Sequence, residues 1–176
     1  MIVDLLRHGE PIGGRLFRGL QDDHLTDNGW SQMESSTTGK SWNFIASSPL
    51  MRCSAFAKHV ATKNKTPYRI YDGLVEFDWG DWQGKSADNI GIDNVNEFKR
   101  DPISNGPRNS ENLYKFNNRV LSTFSQIIEQ CSQHHSILIV SHAGVIRSIK
   151  SHILNLPAEK MFNIKVGSGS CERFKV

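Results

Sequence analysis

Two short apolar runs, each ending in a polar turn that carries a histidine, constrain this chain more than any other feature. MIVDLL (1–6) runs into RHGE (7–10), and SILIVS (136–141) runs into HAGVIR (142–147). Near-continuous apolar runs of this length mark strands buried on both faces, which belong to parallel sheets covered by helices. NFIAS (43–47) and YRIYDG (68–73) read as two further strands. Helical patterns lie between them. Thr26 is a helix cap, with Asp27 in the first turn and Trp30 and Met33 beyond it. Ser48-Pro49 starts a second helix, proline suiting the first helical position, with Leu50, Cys53, Ala57, Val60 and Ala61 on one face. Leu113, Phe116, Val120, Phe124, Ile127 and Cys131 recur every three or four residues and give the clearest amphipathic helix. Val145, Ile146, Ile149 and Ile153 line one more. KVGSGSCERFKV (165–176) reads as a last strand interrupted by glycines, an antiparallel edge that would permit a homodimer without requiring one. The polar stretch 78–107 reads as a lid or specificity segment. The expectation is an α/β fold: a three-layer, mainly parallel sheet with helices on both faces, in a single domain over residues 1–176.

Composition narrows the function classes. The formal net charge is only +3 and the basic residues are scattered, so no nucleic-acid footprint is expected. No apolar run approaches the roughly 20 residues that span a bilayer, so no membrane partner is expected. The first residues carry Asp4 within the apolar stretch and read as a strand, not as a signal peptide. Cys53, Cys131 and Cys171 are an odd number at no metal-like spacing and read as free thiols of a reducing cytoplasm. His134-His135 lacks a third ligand at suitable spacing, so no metal is expected. His24, His59 and His152 read as surface or packing residues.

In sheets of this kind ligands sit beyond the carboxyl ends of the strands. RHGE, SSPLMR (47–52) and SHAGVIR (141–147) all follow strands and would converge there. Arg7 and Arg52 are then two guanidiniums that can fork phosphoryl oxygens. Of His8 and His142, one imidazole can attack phosphorus and the other, protonated, can donate to a phosphoryl oxygen. The helix after His142 adds backbone N–H groups and a positive dipole end. A leaving alkoxide needs a proton, and Glu76, among Phe77, Trp79 and Trp82, is the candidate acid, since an apolar surround would favour its protonated form. Rival phosphate chemistries fail on the letters. Gly39-Lys40-Ser41 and Gly84-Lys85-Ser86 mimic the end of a P-loop, but its first glycine is replaced by Glu34 and Trp79. A cysteine phosphatase needs an arginine six residues after its cysteine, where Cys53 and Cys131 have His59 and Ile137.

These residues resemble the histidine phosphatase superfamily, the phosphoglycerate mutase-like group. Five segments match in order over nearly the whole chain: Arg7-His8-Gly9-Glu10; Gly19, Asp22, Leu25, Thr26 and Gly29; Ser47 to Arg52; Leu74, Glu76, Gly80, Trp82 and Gly84; and Ser141-His142-Ala143-Gly144. The resemblance implies that His8 is phosphorylated, that Arg7, Arg52 and His142 bind the phosphoryl group with Ala143 beside them, that Glu76 is the proton donor and later the base for water, and that no metal or organic cofactor takes part. There are departures. A family asparagine four residues past the glutamate is Gly14 here, with Arg15 and Arg18 as candidates to compensate. A family Thr-Ala is Phe56-Ala57, and a Gly-Glu-Ser motif is blurred to Asn109-Ser110-Glu111. Mutases of the family are usually longer, which favours a phosphatase of a small phosphorylated molecule. GGRLFRGLQDDHLT (13–26) is similar to the alpha-ribazole phosphatase subgroup of cobalamin biosynthesis. The alternatives are mutase-type phosphoryl transfer and a phosphate-binding protein without turnover.

Overall fold

A computed structural model describes all residues, 1–176. Its elements in chain order are β1 (Ile2–Arg7), α1 (Asp27–Thr37), β2 (Phe44–Ser47), α2 (Met51–Asn64), β3 (Tyr68–Ile70), α3 (Ala87–Ile90), α4 (Ile92–Arg100), α5 (Leu113–Gln130), β4 (Ser136–Ser141), α6 (Ala143–Ile153) and β5 (Cys171–Lys175). The five strands form one sheet in the order β3-β2-β4-β1-β5. Every neighbouring pair is parallel except β1 with β5.

The sheet is the middle of three layers, as the two-residue alternation of its central strands requires. Val3, Leu5, Ile137 and Ile139 point to one side and pack with Phe116, Val120 and Phe124 of α5 and Val145, Ile146 and Ile149 of α6. Leu6, Leu138, Val140 and Ile45 point to the other and pack with Met33 of α1 and Cys53, Phe56, Ala57 and Val60 of α2. The periodic residues of α5 are buried as their spacing demands, while Cys131 closes the helix as its C-cap.

Three expected boundaries move. Helix α2 begins at Met51 with Leu50 as N-cap, so Pro49 precedes the helix and Leu50 is outside it. The cause is a distant cap: Asp22 Oδ1 accepts the Met51 amide at 2.6 Å. The glycines near the C-terminus do not interrupt a strand. Residues before Cys171 form a loop whose Ser170 carbonyl accepts from the Arg7 amide at 3.0 Å and whose Gly169 amide donates to the His8 carbonyl at 3.1 Å. Gly169 has φ +66° and packs on Gln32, where a Cβ would come within 2.5 Å of the Gln32 Cβ. The polar stretch 78–107 holds α3 and α4, and α4 buries Val95 and Phe98. No helix is long and apolar enough to cross a membrane.

One carboxylate is fully buried inside the sheet. Asp4 is fully buried and accepts from Trp42 Nε1 at 2.7 Å, Arg173 Nε at 2.9 Å and Arg173 Nη2 at 2.8 Å. Burial alone would raise its pKa. The bonds from Arg173 and Trp42 and the Arg173 charge outweigh that and hold it below the ordinary carboxylate value. Such a group contributes stability above its unfolded pKa of about 3.9, and loses that contribution as pH falls through its lower folded value. Asp4→Asn should therefore cost about 2 kcal/mol at pH 7 in urea unfolding, and the gap to wild type should close below about pH 4. A gap independent of pH would show that the charge on Asp4 is not what the sheet uses.

Candidate active site

The site is built by strand ends that stop at one level. Arg7 pairs with Ser141 across β1 and β4, and Ser47 with Val140 across β2 and β4. The ladder continues one residue further, with the His8 amide on the Ser141 carbonyl and the Ser48 amide on the Val140 carbonyl, both at 3.0 Å. His8, His142 and Ser48 are thereby side by side. The two imidazole centroids are 5.2 Å apart, with ring planes at 63°.

His8 is 6% exposed, and its Nδ1 lies 2.8 Å from its neighbour's carbonyl, Gly9 O. A carbonyl oxygen only accepts, so Nδ1 carries the proton and Nε2 keeps its lone pair. His142 is fully buried, with Nε2 at 2.7 Å from Ser48 Oγ and the Cys53 sulfur 3.7 and 3.8 Å from its ring nitrogens. Burial pushes both histidine pKa values well below the ordinary imidazole value, and the positive charges of Arg52 and Arg7 add to the shift. Burial pushes the Cys53 thiol strongly up, so it stays a neutral packing group.

Arg7 and Arg52 flank the pair. Arg7 Nη1 donates to the Val166 carbonyl at 2.8 Å. Arg52, only 1% exposed, donates from Nη2 to the Gly19 carbonyl at 2.9 Å and from Nη1 to the Gln21 carbonyl. The Nε of each guanidinium is buried without a hydrogen-bond partner in the protein. An orphaned donor on a buried cation costs free energy unless an anion meets it. Burial lowers the pKa of both arginines.

Glu76 is buried, but not among the tryptophans. Its Oε1 accepts from the Phe77 amide at 3.0 Å and the Gly144 amide at 3.0 Å, and Oε2 lies 3.2 Å from the latter. Trp79 and Trp82 stack on each other and pack on Phe17 and Phe98. The carboxyl thus faces the amino end of α6, and backbone N–H groups meet it there as well as the apolar surround expected from its neighbours in sequence. Gly144 makes this approach possible, since a Cβ there would lie 2.3 Å from Oε1.

Arg7, His8, Arg52, Glu76 and Ala143 line one cavity of about 760 Å³, while His142 is buried out of contact with it. Arg15 and Gly14 lie on its exposed rim. Arg18 also lines it, but Nε is committed to Asp23 at 2.9 Å and Nη2 to the Ile12 carbonyl at 2.6 Å. It braces the loop whose Gly19 and Gln21 carbonyls hold Arg52. Gly14 has open space around its Cα and nothing there stands in for an amide. No three histidine, cysteine, aspartate or glutamate side chains gather as a metal site.

Sequence reasoning missed three groups. Arg147 lines the cavity one turn after Ala143 on α6, with Nε on the Ile164 carbonyl at 2.9 Å. Helical spacing from Ala143 was the available signal. Ser48 was passed over as part of the SSPLMR turn. Arg119 of α5 binds Glu111 and the backbone beside Glu76, and nothing in its spacing announces that.

Comparison with known proteins agrees with this geometry. A family model described as histidine phosphatase superfamily (branch 1) matches residues 3–176. The adenosylcobalamin/alpha-ribazole phosphatase of Escherichia coli (strain K12) is 29% identical over 174 residues, 94% of this chain and 85% of that protein. A 2,3-bisphosphoglycerate-dependent phosphoglycerate mutase of Rhizobium etli is 28% identical over 177 residues, 92% of this chain and 84% of that one. The crystal structure of the alpha-ribazole phosphatase from Shigella flexneri superposes with a TM-score of 0.85 at 26% identity, covering 100% of this chain and 91% of that one.

The depressed histidine values give a direct check. An unperturbed imidazole is about half protonated near pH 6.5. His8 and His142 should both be neutral at that pH, with His8 as the Nδ1–H tautomer, when imidazole ¹⁵N shifts are recorded in anion-free buffer. A half-protonated signal from either would contradict the burial described above.

Proposed function

The chain belongs to the histidine phosphatase superfamily (branch 1), and from that premise we propose that it hydrolyses a small phosphomonoester through a phosphohistidine on His8. It is a phosphatase, a hydrolase, in line with its family and with the alpha-ribazole phosphatases of Escherichia coli and Shigella flexneri. The observation that carries the mechanism is the pinned His8 ring, whose Nε2 lone pair is free between two buried guanidiniums with unpartnered Nε groups.

The phosphoryl group sits between Arg7 and Arg52, whose orphaned donors take its oxygens. The backbone N–H of Ala143, the first residue of α6, adds to them. His8 Nε2 attacks phosphorus in line, and the P–O bond to the leaving group breaks with its electron pair going to that oxygen. Glu76 gives the leaving oxygen its proton. Water then attacks the phosphohistidine, Glu76 takes the water proton, the P–N bond breaks and neutral His8 returns. His142 stands behind His8, off the cavity wall, and meets the phosphoryl group only after a shift of its ring; with the Ser48 hydroxyl donating to Nε2, Nδ1 is the nitrogen left to donate. Arg15 and Arg18 stand at the substrate side of the rim, Arg15 with its guanidinium free to meet the rest of the molecule and Arg18 bracing the loop.

Alpha-ribazole 5′-phosphate, in cobalamin biosynthesis, is the substrate this reading favours, because the relatives from Escherichia coli and Shigella flexneri carry that name and span most of their length. The reading extends to one domain over residues 1–176 working in the cytoplasm, with three unpaired cysteines in its support. Phosphoglycerate mutase-type transfer is the second reading, supported by the mutase relative of similar identity. A binding protein without turnover is less favoured, since both His8 and Glu76 line the cavity.

Inorganic phosphate release from alpha-ribazole 5′-phosphate, 3-phosphoglycerate, sugar phosphates and nucleoside monophosphates should rank the first highest and should persist in EDTA. His8→Ala should lower it by roughly 10⁴-fold or more with the fold intact. Phosphate moved to a second hydroxyl instead of to water would favour the mutase. Glu76→Gln should lower kcat/KM for alkyl phosphates by about 10²-fold or more, and far less for p-nitrophenyl phosphate, whose leaving group needs no proton. An equal loss on both would remove Glu76 from the acid role.

A further inference from the structure

Arg119 makes more hydrogen bonds than any other side chain near the cavity, and none of them goes to the cavity. A guanidinium has five N–H donors. Here Nε and Nη2 fork the Glu111 carboxylate at 2.8 and 2.9 Å. Nη1 donates to the Gly73 and Val75 carbonyls, both at 2.9 Å, and Nη2 to the Glu76 carbonyl at 3.1 Å. All five are engaged. The Phe116 ring lies under the guanidinium, with its centroid 4.8 Å from Cζ. The same ring is 3.3 Å from where a Cβ on Gly144 would be, next to the Glu76 carboxyl.

The segment that Arg119 grips has little regular structure of its own. Residues Asp72–Leu74 form one 3₁₀ turn, and Val75 and Glu76 follow outside any helix or strand. Three carbonyls of this segment, those of Gly73, Val75 and Glu76, are paired by one side chain. Other bonds hold the flanks: Ser141 Oγ donates to the Leu74 carbonyl at 2.8 Å, and the Glu111 amide to the Asp78 carbonyl at 3.0 Å. The Glu76 side chain is then steered by the backbone from which it leaves.

We infer that the Glu111–Arg119 pair is a positioning device for Glu76, aiming its carboxyl at the leaving-group oxygen. Arg119 touches no substrate and acts through the backbone of residues 73–76. This rests on the acid role of Glu76 argued above. A carboxyl displaced by about 1 Å would lose most of its value as an acid, on the order of 10²-fold. The same displacement would leave His8, Arg7 and Arg52 untouched, because the first two stand at the end of β1 and Arg52 on α2, held by the Gly19 and Gln21 carbonyls.

The consequence is a split by leaving group. R119K removes the fork and E111Q removes its charge and one oxygen; E76Q is the reference. Each is assayed with an alkyl phosphate and with p-nitrophenyl phosphate. R119K and E111Q should lower the alkyl-to-aryl ratio of kcat/KM about 10- to 100-fold with KM little changed. Neither should lower the ratio further when added to E76Q, since a positioning residue has nothing left to aim. E111Q leaves the three carbonyl bonds in place and carries the test if R119K does not fold. If E76Q splits the two substrates while R119K and E111Q reduce both equally, or neither, the pair is merely structural and the inference fails. If E76Q itself shows no split, the acid role falls, and this inference falls with it.

Discussion

Everything in the cavity depends on the parallel register of β1, β4 and β2. Backbone hydrogen bonds place the last residues of these strands level, and the next amide of each loop still bonds its neighbour. The side-chain period of a strand is two, so a slip of one residue would send Val3 and Leu5 to the layer now filled by α1 and α2. It would also move His8 by about 3.3 Å along the strand, out of line with His142. The apolar pattern that selects the register for burial therefore also sets the distance between the two imidazoles. Catalytic geometry and core packing are one constraint.

That constraint brings cations together with few anions to balance them. Arg7, Arg52 and Arg147 are drawn into partly or wholly buried positions, and burial lowers the pKa of each. Burial, with the charges of Arg52 and Arg7 added, lowers the pKa of both histidines and keeps them neutral. In the proposed reaction this is useful: the lone pair of His8 is available at neutral pH, and guanidiniums beside it would offset the repulsion between incoming electrons and phosphoryl charge. Glu76 raises the pKa of Arg7 and Arg147 through its charge, and so belongs to the same electrostatic unit. The amino end of α6 serves both sides of it, giving Gly144 N–H to the carboxyl and leaving Ala143 at the cavity wall.

What was legible in the sequence follows the range of the interaction that made it. The apolar runs at β1 and β4 declare themselves, and with them Arg7, His8 and His142, because strand and site are contiguous. Helix α5 declares itself by period. The start of α2 does not, since Asp22 supplies its cap from 29 residues away. The surroundings of Glu76 were misread from its sequence neighbours Phe77, Trp79 and Trp82, when the groups that touch its carboxyl include Gly144, 68 residues on. Arg147 carried a readable signal in its spacing from Ala143. The Arg119 grip on residues 73–76 carried none: it joins a helix to a loop across more than 40 residues, and only the assembled layers bring them together.

The division between sheet and loop also explains how one scaffold serves different phosphate esters. The groups that the proposed reaction assigns to the phosphoryl end stand on the core: Arg7, His8 and His142 at or just beyond strand ends, and Arg52 in the first turn of α2, where moving one would disturb the packing beneath it. The rest of the cavity wall comes from elsewhere: Gly14, Arg15 and Phe17 from the loop after β1, and Phe98 and Lys99 from α4. These elements contribute no strand to the sheet, so they can change length and chemistry without altering its register. Glu76 is between the two classes. As the proposed acid it must follow the leaving group, yet reach it from a fixed distance to phosphorus. A loop residue gripped by a side chain from a core helix meets both demands, since the loop can vary beyond the grip while the carboxyl stays where α5 and α6 hold it.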